Sequence, residues 1–101
     1  MMKIDVSPRA YQDLTDIKLY ISNKLANPDA AKKILTDIID ALHSLTEMPN
    51  RGTKLKNDLV TNSNYCFIPC HNYLIFYRVT DKSIFVSRIL YKSRNLLSFF
   101  K

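Results

Sequence analysis

A single glycine, Gly52, in 101 residues leaves the chain without the material for a flexible linker, and its four prolines are spread singly. One compact domain spanning 1–101 is therefore expected. No run approaches the roughly 18–20 uninterrupted apolar residues that a membrane span needs. Met1–Pro8 lacks the apolar stretch and cleavage site of a secretory signal, so a cytoplasmic location away from membranes is expected. Cysteine is scarce too. Cys66 and Cys70, four residues apart on an extended strand, lie roughly 13 Å apart, too far for a disulfide, and read as buried or half-buried free thiols. With His43 and His71 isolated, no metal-ligand set forms, and no cofactor is expected. Repeats and low-complexity tracts are absent.

Acids are missing from one half. Residues 1–49 carry seven acids and six bases, a net −1, whereas residues 50–101 carry nine bases against Asp58 and Asp81, a net +7. That one-sided positive field draws polyanions or acidic protein partners. Apolar residues make up 47%, enough for a modest core and too many for wholesale disorder.

Lys3–Val6 reads as a short strand. Ser7-Pro8 is a helix start, with serine as N-cap and proline in the first turn. Ala10, Leu14, Ile17, Ile21 and Leu25 then recur at helical spacing, predicting a helix to about Lys24. Asn27-Pro28 repeats the start signal, and Ala31, Ile34, Leu35, Ile38, Leu42 and Leu45 form a second stripe ended by Pro49. So short a connection folds the helices into an antiparallel hairpin. Asn50–Asn64 reads as a polar, basic loop. Tyr65–Pro69, Tyr73–Thr80 and Ile84–Tyr91 read as strands from their β-branched and aromatic content. Ser93–Phe100 reads as a short amphipathic tail.

The order β-α-α-β-β-β predicts an α+β fold, a small twisted antiparallel sheet packed on an N-terminal helical hairpin. With a three-residue loop in the last hairpin, one face carries Tyr73, Ile75, Tyr77, Val79, Phe85, Ile89 and Tyr91. The other carries Leu74, Phe76, Arg78, Ile84, Val86, Arg88 and Leu90; a loop one residue different re-pairs the sets. Helices cover one side only. The other is then a bare apolar surface studded with arginine, which on a small protein marks a partner site.

Asn72-Tyr73-Leu74-Ile75-Phe76-Tyr77-Arg78-Val79, Arg88-Ile89-Leu90-Tyr91 and Arg94-Asn95-Leu96 resemble the central strand, final strand and exit of the RelE/ParE superfamily of toxins from bacterial type II toxin–antitoxin modules. Val6-Ser7-Pro8-Arg9-Ala10 and Met48-Pro49-Asn50-Arg51-Gly52 resemble its opening and its helix-to-loop junction. The resemblance covers essentially the whole length. It implies a growth-arresting toxin, neutralised in a hetero-oligomer by the acidic, amphipathic segment of a cognate antitoxin. Leu74, Phe76, Val86, Leu90, Phe99 and Phe100 are the expected antitoxin contacts.

The superfamily has two outcomes. RelE-like members cut messenger RNA on the ribosome; ParE-like members poison DNA gyrase. RNA cleavage needs a base for the 2′-hydroxyl, cations for the phosphorane and an acid for the leaving oxygen. By the resemblance, strand positions that carry such bases in RelE hold Cys66, Ile68 and Leu74 here. Arg94 matches the arginine near the end, and Phe100 falls where RelE has a tyrosine. The ParE-like outcome is therefore favoured. A metal-independent endoribonuclease using Arg94, Arg88, Tyr91 and His71 is the alternative, and a non-toxic member that keeps antitoxin binding is a third. Arg51, Lys54, Lys56, Arg78 and Lys92 are the candidate contacts to the target, whether gyrase or ribosome-bound message. No recognition helix, zinc finger or RNP-type motif supports a general nucleic-acid binder.

Overall fold

Ser7 opens the first helix as the sequence predicts: its Oγ accepts from the Ala10 amide at 3.0 Å, with Pro8 in the first turn. The computed structural model describes residues 2–54 and 65–92. Its elements are β1 (Lys3–Val6), α1 (Pro8–Leu19), a wider π-type turn (Tyr20–Lys24), α2 (Pro28–Glu47), β2 (Thr53–Lys54), β3 (Tyr65–Cys70), β4 (Tyr73–Val79) and β5 (Ser83–Tyr91). The helix predicted to run to Lys24 thus loosens after Leu19. Asn27 caps α2 through Oδ1, which accepts from the Ala30 amide at 3.1 Å.

The five strands form one sheet in the order β1-β5-β4-β3-β2. β2 to β5 are antiparallel neighbours, and β1 adds to β5 in parallel, so the sheet is mixed. β2 lies in the stretch read as a loop; two exposed residues carry too little apolar pattern to announce a strand. Its partner Tyr65–Cys70 continues one residue past the predicted end at Pro69.

The last hairpin turns through two residues, Asp81-Lys82: the Thr80 amide donates to the Ser83 carbonyl at 2.8 Å, and the Ser83 amide to Thr80 Oγ1 at 3.1 Å. From Val79↔Ile84 to Tyr77↔Val86 the pairing follows that turn. From Phe76↔Arg88 to Tyr73↔Tyr91 it follows the three-residue register. Ser87 is the extra residue, a β-bulge that absorbs the difference.

The bulge corrects the predicted faces. Ile84 and Val86, expected outside, lie in the core beneath the helices, while Phe85 is outside and half-buried. The helix-facing core comprises Ala10, Ile17 and Ile21, then Ala31, Ile38, Leu42 and Leu45, against Ile68, Ile75, Tyr77, Ile84, Val86 and Ile89 of the sheet. The far face is not bare either. Phe76 is 1% exposed and Leu90 3%, with the Phe67 and Phe76 rings 5.8 Å apart. Leu74 is half-buried.

Gly52 has one specific task. The Tyr77 hydroxyl, fully buried, donates to the Pro49 carbonyl and accepts from the Gly52 amide, both at 3.0 Å. A Cβ on Gly52 would lie 2.2 Å from that oxygen. Close approach, not turn flexibility, explains the chain's only glycine.

Candidate functional site

β1 stops at Val6 because Ser7-Pro8 turns the chain into α1, so it pairs with Ser83–Val86 alone. The second half of β5 has no neighbour on that side. Asp13 of α1 stands there instead. Its Oδ2 accepts from the Ile89 amide at 2.9 Å and from Arg88 Nε at 2.9 Å, and its Oδ1 from Arg88 Nη2 at 3.0 Å. Both side chains are nearly buried, at 9% and 13% exposure. The Asp13 hydrogen bonds raise the Arg88 pKa further, against the opposing effect of burial. Such a two-point pair, sharing its carboxylate with a backbone amide, fixes α1 to the sheet.

Beside this clamp runs a groove of about 730 Å³, lined by α1, the π-type turn, the start of α2, the β3–β4 turn and Arg88–Tyr91. Its apolar walls are Ile17, Ile21, Leu25 and Ile34, and three phenols, Tyr20, Tyr73 and Tyr91, crowd one end. Tyr73 and Tyr91 meet edge to face, with centroids 5.7 Å apart. Burial raises the Tyr73 phenol pKa, and the Tyr91 and Tyr20 phenols add to the effect.

His71 sits in the two-residue turn between β3 and β4 with φ +55, and its Nε2 lies 2.6 Å from Asp37 Oδ2. Lys33 Nζ reaches the same oxygen at 3.3 Å. The Asp37 carboxyl is held below its ordinary pKa, chiefly by the His71 hydrogen bond, with Lys33 assisting.

The candidate residues divide between the two ends of the sheet. His71, Arg88 and Tyr91 line the groove, and exposed Lys92 follows directly, its amide donating to the Asn72 carbonyl at 2.9 Å. Arg51, Lys54 and Arg78 lie at the other end. Arg51 donates to Ser44 Oγ, Lys54 pairs with Cys66, and Arg78 pairs with Tyr65. The Arg78 guanidinium lies 5.7 Å from the Tyr65 ring centre and 5.1 Å from that of Phe85. Five residues of β4 separate Tyr73 from Arg78, roughly 17 Å. Lys56, Arg94, Phe99 and Phe100 lie outside the described residues. Of the expected antitoxin contacts that are described, Phe76, Val86 and Leu90 are internal and Leu74 retains some surface.

Sequence reasoning missed Asp13, Asp37 and Tyr20. Asp13 and Asp37 read as ordinary charges on helix faces, and nothing local announces partners 75 and 34 residues away. Among the described residues no three histidine, cysteine or acidic side chains are placed to hold a metal. Nor is any helix among them long and apolar enough to cross a membrane.

The fold and sequence have known counterparts. Toxin RelE3 of Caulobacter vibrioides is 25% identical over 89 residues, covering 88% of this chain and 92% of that protein. The chromosomal ParDE toxin–antitoxin system of P. aeruginosa contains a chain that superposes with TM-score 0.74 at 22% identity, covering 90% of this chain and 96% of that one. The RelBE2 toxin–antitoxin complex of Mycobacterium tuberculosis gives 0.66 at 17% identity, covering 89% and 96%. The family model for the ParE toxin of the type II toxin–antitoxin system, parDE, matches residues 4–96. With nearly its full length matched, this chain belongs to the ParE toxin family of type II toxin–antitoxin systems, within the RelE/ParE superfamily.

Proposed function

We propose that this toxin arrests growth in the cytoplasm by binding, with DNA gyrase as its target, and that a cognate antitoxin neutralises it. One observation carries the reading: the described side chains suited to phosphate chemistry are committed to structural partners. Arg88 is clamped by Asp13 and His71 by Asp37. The cations Arg51, Lys54 and Arg78 stand at the opposite end of the sheet from Tyr91, too far to act with it on one phosphate. Cys66, Ile68 and Leu74 occupy strand positions that would carry bases by resemblance to the ribonuclease branch, and none of the three is a base. The ParDE likeness supports the same branch, and the complexes among the solved relatives support an antitoxin partner.

The decisive experiment adds the purified protein to gyrase with supercoiled DNA, and separately to translating ribosomes. Inhibited supercoiling with intact transcripts supports the proposal; cleaved ribosome-bound transcripts with normal gyrase activity overturn it. The second reading, a ribosome-dependent endoribonuclease, draws on the convergence of Arg88, His71 and Tyr91 in one groove. Normal growth on induction without antitoxin would indicate a non-toxic member.

A further inference from the structure

The uncovered half of β5 is a directional binding site. In an antiparallel pair, alternate residues send both N–H and C=O toward the partner strand. The Lys92 amide bonds the Asn72 carbonyl beyond β4, so Leu90 and Lys92 face β4 while Ile89 and Tyr91 face the groove. The Ile89 amide bond to Asp13 agrees with that phase. The Ser87 bulge matters here. Before it, Val86 directs its carbonyl to β1, accepting from the Ser7 amide at 3.0 Å. After it the phase shifts by one residue, and Ile89 and Tyr91 continue the same edge beyond the end of β1. The Tyr91 amide and the carbonyls of Ile89 and Tyr91 thus point into the groove, along an edge roughly 13 Å long.

We propose that a short extended segment of the antitoxin docks here as an added strand on Arg88–Tyr91, with an apolar side chain in the groove and carboxylates beside it. This rests on the reading of the chain as an antitoxin-neutralised toxin. Main-chain bonds to the free edge supply register, and the pocket supplies side-chain selection. Charge selects the occupant. Asp13 is consumed by Arg88 and the Ile89 amide, whereas Arg9 on the groove wall and Lys92 just past the strand are exposed. Asp16 is the one other acid on the lining, already accepting from the Gln12 amide at 2.9 Å. In a chain of formal charge +6, these two cations favour a segment whose apolar residue is flanked by acids. A second copy of this chain would bring like charge to the same edge.

Residue-resolved hydrogen exchange on the full-length toxin, alone and with its cognate antitoxin, tests the docking mode. The Tyr91 amide should exchange about ten-fold or more slowly in the complex, with the Leu90 amide, already directed at β4, changing less. An unchanged Tyr91 amide in a fully formed complex overturns the proposal, as does protection of Tyr91 by self-association without antitoxin. Leu25→Glu places a charge at the exposed apolar wall, and Tyr11→Glu places one on α1 outside the groove. Leu25→Glu should weaken antitoxin binding about ten-fold at unchanged melting temperature, while Tyr11→Glu leaves it unaltered. Equal effects of the two variants would count against this groove. The gyrase and transcript readouts are independent of both tests, so a wrong target and a wrong docking mode are told apart.

Discussion

Asp13 and Arg88, 75 residues apart, meet through two parallel bonds of 2.9 and 3.0 Å, and the same carboxylate also holds the Ile89 amide. Removing one member strands a nearly buried charge. Asp13→Ala should therefore cost about 3–5 kcal/mol, as should Arg88→Ala on its own. Asp13→Leu with Arg88→Met should recover much of that loss, because an apolar pair of similar volume leaves no unpaired charge. Urea denaturation of the three variants checks this; additive losses in the double variant would contradict it.

Tyr77 and Gly52 yield a second expectation. Tyr77→Phe removes the hydroxyl that serves the Pro49 carbonyl and the Gly52 amide, costing about 1–3 kcal/mol. Gly52→Ala should destabilise as well, because its Cβ would also stand 2.9 Å from two ring carbons of Tyr77. The double variant should lose less than the sum of the singles, since the 2.2 Å clash with the hydroxyl oxygen is gone. Thermal melts of the three proteins decide it.

Acid dependence follows from Asp37. Its folded pKa lies below the ordinary 3.8, so its contribution is present above that value and fades as pH falls through the folded one. The stability difference between the natural chain and Asp37→Asn should be constant near neutrality and shrink in the acid limb below about pH 4. Carboxyl-carbon NMR should show the Asp37 pKa rising toward its ordinary value in His71→Ala. No movement there would mean that the hydrogen bond is not the main cause.

Cys70 is a thiol whose pKa is raised, first by burial and then by Asp37, with Lys92 opposing. Alkylation by iodoacetamide at pH 7.5 should proceed more slowly than for a free peptide thiol. Mild oxidation should not join Cys70 to Cys66, since both are free and four positions apart on one strand. Mass spectrometry reports both outcomes.

Much of this architecture is legible in the chain, because its signals are local. Ser7-Pro8 and Asn27-Pro28 mark the helix starts, and the aromatic and β-branched runs mark β3, β4 and β5. The family resemblance is carried by the same segments. What escapes is non-local. Ser87 looks like any other residue of an outward-facing strand, yet it decides whether Ile84 and Val86 lie inside or outside. Likewise Arg88 reads as a surface cation until α1 brings Asp13 against it. Leu90 and Phe76 have the alternation of an exposed face and are nonetheless internal.

The parallel pairing of Lys3–Val6 with Ser83–Val86 has a consequence for biosynthesis. The first segment to leave the ribosome finds its place only when nearly the last has been made. Until then the two amphipathic helices have no sheet to cover. Folding is therefore post-translational in its final step, and its rate is governed by the slow search for sequence-distant contacts. A transcript truncated before codon 83 would yield a product lacking the strand that unites the molecule's two ends.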